Sequence, residues 1–165
     1  MCFFFWRECG LRLSSLKYLN MRTVSNPYFL YQPDQDEGIV GFSAWPALER
    51  NYTQHDLVLF ENIDTNVGGH FQNSVFVCPV DGVYSFSIHI TTQAGTSMSI
   101  RLMRNDDRLA GATCEAVAGV QVSAGNTVFA VCLAGDKVWV RSNENGAIRG
   151  NIRTNLFSGH LLDRY

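Results

Sequence analysis

The side chains best suited to binding chemistry are five arginines in two groups. Arg101, Arg104 and Arg108 flank a polar turn, and Arg149 and Arg153 lie in a long polar stretch nearer the C-terminus. Each guanidinium is planar, permanently charged and able to donate two parallel hydrogen bonds to one carboxylate, sulfate or phosphate group. We therefore regard all five as candidate contacts to acidic groups of a glycan, lipid or protein ligand.

These arginines also have a simpler interpretation as a solvated charged surface. Asp106, Asp107 and Glu144 are close to them in sequence and can act as counter-charges. Loops on a rigid scaffold are, however, where binding sites usually lie. Both interpretations stay open at the level of sequence.

The local signatures of common catalytic sites are absent from this sequence. It contains no Gly-x-Ser-x-Gly elbow, His-Glu-x-x-His helix, Cys-x-x-Cys pair or phosphate-binding glycine loop. The four histidines share no metal-ligand spacing. We predict that the chain is not an enzyme.

One covalent modification is suggested by a short motif. Asn51-Tyr52-Thr53 is the single Asn-x-Ser/Thr sequence in the chain. Such motifs also arise by chance, so Asn51 is a glycosylation candidate only if the chain is secreted.

Length and composition limit the classes of protein to which the chain can belong. The 165 residues suit one domain with a sizeable core, and 46% apolar with 17% charged residues suit neither a disordered nor a fibrous protein. A net charge of -2 gives no electrostatic basis for binding nucleic acid. No run of about 18 apolar residues is present, so no membrane span is predicted.

The elements that position these residues are short β-strands separated by turn residues. From Gly38 onward no long helical pattern occurs, and this predicts an all-β sandwich or barrel. The predicted strands are 40–45, 56–60, 67–72, 74–78, 83–90, 98–104, 108–116, 120–122, 127–133, 137–142 and 155–162.

Two of these strands are predicted to form a central hairpin. Residues 74–78 and 83–90 are rich in β-branched and aromatic side chains, and Pro79, Asp81 and Gly82 between them are typical turn residues. In the second arm the apolar residues alternate with polar ones, as in a half-buried antiparallel strand.

Strand 127–133 is apolar on both faces. Phe129, Val131 and Leu133 lie on one face, while the other face is also apolar. A strand of a two-layer sandwich keeps one face in water unless something covers it. We predict that a neighbouring subunit packs on these three residues; the alternative is that a loop of the same chain crosses them.

The cysteine count is odd, so at least one of the five thiols is unpaired within the chain. Cys78 is predicted to be a buried free thiol, not a metal ligand. Cys114 and Cys132 could join the two sheets, and Cys2 and Cys9 could cross-link chains or have no role.

The stretch 60–90 resembles the signature of the globular head of complement C1q, a member of the tumour necrosis factor-like superfamily. That signature spaces a Phe, an Asn or Asp, an aromatic residue or Leu, and a second Phe ahead of Gly-x-Tyr-x-Phe-x-aromatic. Four residues, and not six, separate the third and fourth positions, and Ile88 replaces the last aromatic. We interpret these departures as a shortened loop and an apolar exchange. The matching residues are Phe60, Asn66, Phe71, Phe76, Gly82, Tyr84 and Phe86.

The resemblance extends from about Gly38 to Leu162 and implies a ten-stranded jelly-roll β-sandwich as the fold. We therefore assign residues 38–165 to a C1q globular domain and residues 1–37 to a separate N-terminal segment. That segment is expected to be a disordered tether or a short helix, and its first apolar run is too short for a typical secretory signal.

The resemblance also implies a function. It predicts a secreted, extracellular homotrimer that recognises microbial or self surface ligands in innate immunity, whether glycan, lipopolysaccharide or protein. Two alternatives are a signalling or adhesive ligand that clusters a cell-surface receptor, and an extracellular matrix module.

The resemblance further suggests calcium at Asp136, which is similar to an acidic position that helps hold calcium near the threefold axis in several relatives. Three symmetry copies of one carboxylate would repel each other unless a cation bridged them, and oxygen ligands suit calcium. The alternative is that this Gly-Asp turn uses the carboxylate for its own backbone hydrogen bonds.

Overall fold

The computed structural model describes residues 38–165, which form an antiparallel all-β domain. The predicted N-terminal segment, with Cys2 and Cys9, lies outside the described residues. Twelve strands follow one another in this part of the chain: β1 (Gly41–Trp45), β2 (Arg50–Tyr52), β3 (Asn62–Val67), β4 (Phe71–Gln72), β5 (Val75–Val77), β6 (Gly82–Thr91), β7 (Met98–Arg104), β8 (Asp107–Cys114), β9 (Ser123–Cys132), β10 (Lys137–Ser142), β11 (Gly146–Ile148) and β12 (Leu156–Arg164).

Ten of these strands form two five-stranded sheets that pack face to face. The first sheet has the order β3-β1-β12-β6-β9 and the second the order β4-β5-β10-β7-β8. The remaining two strands, β2 and β11, form a small ribbon. The prediction of a ten-stranded jelly-roll sandwich is therefore confirmed.

The predicted central hairpin is wrong. β5 pairs with β4 and β10 in the second sheet, whereas β6 pairs with β12 and β9 in the first. The residues between them cross from sheet to sheet, and the Ala134 N–H donates a hydrogen bond to Asp81 at this crossing. Alternation of side chains specifies the two faces of a strand but not which strands are its neighbours. The pattern of residues 74–78 and 83–90 therefore does not show that the two strands belong to different sheets.

Several strand boundaries also differ from the prediction. Residues 56–60 form no strand, the strand lies at Asn62–Val67 instead, and predicted strand 67–72 contains a turn at Gly68 and Gly69, both with positive φ. Predicted strand 120–122 makes only an isolated bridge at Val120. The three-residue strands β2 and β11 were missed because they are too short to show a period.

An aromatic cluster joins the two sheets. Phe42 of β1 stacks on Phe71 of β4 at 4.4 Å between ring centroids and contacts Phe76 of β5 at 4.9 Å. Its edge also meets Phe157 of β12 at 4.8 Å. Since Phe42 and Phe157 come from the first sheet and the other two rings from the second, the cluster packs the two layers against each other.

The signature residues all have structural roles in or beside this core. The five aromatic ones are almost fully buried. The Asn66 side chain hydrogen-bonds both the N–H and the C=O of Phe71. Gly82 has no room for a side chain, because a Cβ there would lie 2.4 Å from the carbonyl oxygen of Asp163.

Replacing Phe76 by alanine tests the importance of this cluster. We expect Phe76→Ala to lower the free energy of unfolding by about 3–5 kcal/mol, since it leaves a cavity between the sheets. The matched control is Val77→Ala on the same strand, whose side chain is 37% exposed and should cost less than about 1 kcal/mol. Urea unfolding measures both, and equal losses would contradict the assigned core.

Candidate functional site

β9 presents an uncovered apolar surface at the edge of the first sheet. Val128, Ala130 and Cys132 point into the sandwich, whereas Phe129 is 69% and Val131 is 52% exposed. Leu133, just past the strand end, is 55% exposed. No loop within residues 38–165 covers this face, so the alternative that such a loop crosses it does not hold.

Cross-strand partners extend from Phe129 across the first sheet. Phe129 pairs with Ser85, which pairs with His160, which in turn pairs with Gly41. Gly41 pairs with Val67, another exposed apolar residue. A row that combines small residues with exposed apolar ones can make close contact with another protein surface.

The structure places the five candidate arginines on different parts of the sandwich. Arg101, Arg104 and Arg108 belong to β7 and β8 of the second sheet. Arg153 lies against the first sheet, where it pairs with Asp64 at 3.1 Å and lies over the Trp45 ring. Arg149 donates a hydrogen bond of 2.7 Å to Gln121. The two sequence groups therefore do not form one site.

Arg104 uses most of its donors within the domain. Its guanidinium pairs with Asp107 at 3.0 Å and lies 3.9 Å from Asp136. It also donates to the backbone carbonyl of Val131. Arg104 thus ties β7 to β9 and has few donors left for a ligand.

Arg101 has a neighbour that the sequence interpretation missed. Arg141 of β10 pairs directly with Arg101 of β7, and Arg101 pairs with Gly111 of β8. The guanidinium of Arg108 lies over Gly111. Alternation within 137–142 could have shown that Arg141 points outward, but only the strand order places it beside Arg101.

Asp136 serves its own turn. Oδ1 accepts a hydrogen bond of 2.8 Å from the Asn105 side chain, and Oδ2 accepts one of 2.9 Å from the Leu133 N–H. The Leu133 hydrogen bond, with help from Asn105 and from the charge of Arg104, holds the pKa of Asp136 below its ordinary value. A calcium ion would compete with these donors and with that positive charge. Calcium at Asp136 therefore stays a prediction to which this geometry adds no support.

The structure also bears on metal binding and on glycosylation. Within residues 38–165, no group of three or more histidine, cysteine, aspartate or glutamate side chains lies close enough together to hold a metal ion. Asn51 lies on β2 with an exposed side chain, so an attached glycan would not meet the core.

The three cysteines of the described region are buried free thiols. This agrees with the prediction for Cys78. Cys132 lies next to Cys78 and not next to Cys114, whose thiol faces the Ile90 carbonyl. The hydrogen bond that the Cys78 S–H donates to the Cys132 sulfur, together with burial, raises the pKa of the Cys78 thiol. Cys78 is therefore protonated and poorly nucleophilic at neutral pH.

Comparison with known proteins gives the family. The sequence pattern of the C1q domain matches residues 41–162. This chain belongs to the C1q domain family.

Two curated relatives of this C1q domain protein match along most of its length. It is 31% identical over 129 residues to Caprin-2 of Danio rerio, a match that covers 74% of this chain and 14% of that protein. It is 32% identical over 123 residues to complement C1q tumor necrosis factor-related protein 2 of Mus musculus, a match that covers 70% of this chain and 41% of that protein. The chain thus spans less than half the length of these relatives.

Solved structures show the same fold. The globular domain of zebrafish complement 1qA superposes with a TM-score of 0.62 at 20% identity, covering 76% of this chain and 99% of that one. Murine APRIL superposes with a TM-score of 0.63 at 11% identity, and the match covers 75% of this chain and 99% of that one. Folds of this kind are ligand-binding modules that typically form trimers, and C1q domain relatives are typically extracellular. No helix among residues 38–165 is long and apolar enough to cross a membrane.

Asp136→Asn tests the role of this carboxylate through its pH dependence. A depressed pKa in the folded state means that ionised Asp136 stabilises the domain above its unfolded pKa, and that this stabilisation disappears as the pH falls through the folded pKa. We expect the variant to be less stable than wild type at pH 7. The difference should shrink below about pH 5 and vanish at a pH under 3.8.

The control for this experiment is Asp106→Asn. Asp106 is exposed and makes no side-chain hydrogen bond within the described residues. Thermal unfolding from pH 2.5 to 7 should show no comparable pH-dependent difference for the control. If added calcium raised the melting temperature of wild type but not of Asp136→Asn, the assignment of Asp136 to its turn alone would be contradicted.

The burial of the thiols predicts low reactivity. In a Cys2→Ser/Cys9→Ser variant, we expect no alkylation by iodoacetamide at pH 7.5 in the folded state and three modified thiols after unfolding in guanidinium chloride. Mass spectrometry measures the number of adducts. Rapid modification of Cys78 in the folded protein would show that the region between the sheets opens.

Proposed function

We propose that this C1q domain chain is a secreted, trimeric binding protein that recognises microbial or self surface ligands in innate immunity. The observation that carries the proposal is the uncovered face of β9, formed by Phe129, Val131 and Leu133. Membership of a family of ligand-binding modules whose folds typically form trimers supports it. The proposal includes no catalytic step.

The exposed face of β9 favours a subunit contact on physical grounds. Soluble monomers rarely expose large contiguous apolar patches, and edge strands with apolar side chains are prone to aggregation. Packing the β9 face against a second subunit removes this surface from water. A closed ring of three subunits does so for every copy.

A trimer would also raise the apparent affinity of a weak binding site on each domain. Three identical weak sites on one rigid body can engage a repetitive surface together, which raises the apparent affinity by orders of magnitude, about 10²–10⁴. Repeated groups on a microbial or cell surface suit this mode of binding. The typically extracellular location of C1q domain relatives and the exposed position of Asn51 are consistent with secretion.

A second candidate is a signalling or adhesive ligand that clusters a cell-surface receptor. The observation in its favour is the 32% identity to mouse complement C1q tumor necrosis factor-related protein 2. Binding to cells that free sugar competes away would support surface recognition. A single saturable protein receptor, insensitive to sugar, would support the signalling role.

Phe129→Asp tests the proposed interface. A charge buried without a partner at a subunit contact is strongly unfavourable, so we expect the variant to be monomeric or to precipitate. Light scattering of the full chain measures the mass, and wild type should have three times the chain mass.

The control is Val120→Asp, because Val120 is 50% exposed in the loop between β8 and β9 and away from the β9 face. This variant should keep the wild-type mass. If Phe129→Asp also stayed trimeric, the interface would lie elsewhere, and a monomeric wild type would remove the avidity mechanism.

A further inference from the structure

Three arginine side chains form a row on the outer face of the second sheet. Arg141 of β10 and Arg101 of β7 are direct cross-strand partners, and the next position across, on β8, is Gly111. Side chains of paired residues point to the same face of a sheet. The guanidinium of Arg108 fills the space above Gly111, because a Cβ at that glycine would lie 3.0 Å from Arg108 Nη2. We refer to Arg101, Arg108 and Arg141 as the arginine row.

The arginine row faces away from the core. The residues that flank Arg101 and Arg141 along their strands, among them Leu102 and Val140, are fully buried between the sheets. By alternation, the two arginines therefore point outward. Both are partly buried along their side chains, which places their guanidinium groups at defined positions on the sheet.

The arginine row has no partners among residues 38–165. Arg50, Arg104 and Arg153 each pair with a carboxylate, whereas none of the three row side chains forms a hydrogen bond or an ion pair within the described region. The Nε atoms of Arg101 and Arg141 are shielded from solvent and still lack an acceptor. A buried donor without an acceptor is unfavourable and rare in native structures, so contacts within the domain leave both guanidinium groups incompletely satisfied.

The charges of the arginine row also point to an anion. Like charges directly opposite each other on neighbouring strands repel and destabilise a sheet. The row concentrates three positive charges in a chain whose net charge is -2. An anion bound across the row would neutralise this repulsion and accept hydrogen bonds from the guanidinium groups.

Hydroxyl groups extend the donor surface beside the row. Ser99 and Thr113 are the next cross-strand pair on the same face, and their hydroxyl oxygens lie 3.1 Å apart. Guanidinium and hydroxyl donors side by side suit an oxyanion with several accessible oxygens, as in a sulfate or phosphate ester, better than a single carboxylate. The chemistry of the surface is thus that of an oxyanion site.

The position of the arginine row favours a linear polyanion over a membrane. The row crosses an open sheet face, where one isolated sulfate would be held weakly in competition with water. A chain that carries several sulfates can contact all three arginines. None of the large exposed apolar side chains of residues 38–165 belongs to β7, β8 or β10, so nothing there would insert among lipid chains.

We propose that Arg101, Arg108 and Arg141 bind the sulfate groups of a sulfated polysaccharide. This inference deepens the proposed function and rests on it, since it names the ligand class and the site. It keeps two of the five sequence candidates, Arg101 and Arg108, and adds Arg141.

The test compares two double variants of the full chain that remove the same charge. Arg101→Gln/Arg141→Gln removes part of the row, and Arg149→Gln/Arg153→Gln removes two arginines elsewhere on the domain. Heparin is the probe, and calorimetry over a range of salt concentrations gives the affinity. We expect the row variant to lose at least about tenfold in affinity at 0.15 M salt, as charge-assisted hydrogen bonds are lost, and the control to stay within about twofold.

A second measurement separates binding from folding. The row variant should melt at or above the wild-type temperature without ligand, because repulsion between Arg101 and Arg141 is removed. With heparin added, the melting temperature of wild type should rise by more than that of the row variant, because heparin binds the folded wild type more tightly. Equal heparin losses in both double variants, or no extra rise in wild type, would overturn the proposal.

Two further readouts separate the possible failures. Anionic lipid vesicles that bind more tightly than heparin, with the same dependence on Arg101 and Arg141, would replace the polysaccharide by a membrane surface. The mass of each sample is measured in parallel. A trimer without row-dependent heparin binding overturns this inference alone, whereas a monomer whose heparin binding still depends on the row overturns only the avidity mechanism.

Discussion

The contact of Phe42 with Phe71 and Phe76 is the interaction on which the remaining structure depends. Among the ring pairs that join the two sheets, these have the shortest distances between centroids, 4.4 and 4.9 Å. The outward side chains alternate with the buried ones on the same strands, so a fixed core also fixes what the surface presents. Phe129 is exposed because the side chains of Val128 and Ala130 point into the interior. Arg101 points outward because Ile100 and Leu102 point into the interior. The two surfaces of interest are therefore consequences of the packing between them.

The sandwich separates these surfaces by chemistry. The first sheet presents the apolar face of β9, which suits a permanent contact with another subunit, and the second sheet presents the arginine row, which suits a charged ligand. Because the two lie on opposite faces, assembly and ligand binding do not compete for the same residues. A trimer closed through β9 would leave its charged faces directed outward, where a repetitive polyanion can reach all of them.

The sequence was sufficient for the fold class and for the core, because the signature aromatics and Gly82 are constrained by local packing and spacing. It was insufficient wherever the answer depended on which strands are neighbours. The supposed hairpin of 74–78 with 83–90 failed for this reason, since each arm alternates correctly but belongs to a different sheet. Arg141 was missed for the same reason, because it lies forty residues from Arg101 in sequence and directly beside it in the sheet. The outward orientation of Phe129 needed only the period of one strand, and that prediction of side-chain direction agrees with the structure.

The position of Arg104 affects how mutational data on this domain must be interpreted. Its guanidinium connects Asp107, at the start of β8, to the backbone carbonyl of Val131 on β9. An alanine scan scored only by ligand capture would rank Arg104 among the contact residues, since its loss disturbs both surfaces at once. Such a scan would count Arg104, which holds β7 and β9 together, as part of the ligand-binding site. A scan of this domain needs an independent measure of assembly for every arginine before any of them is assigned to the ligand.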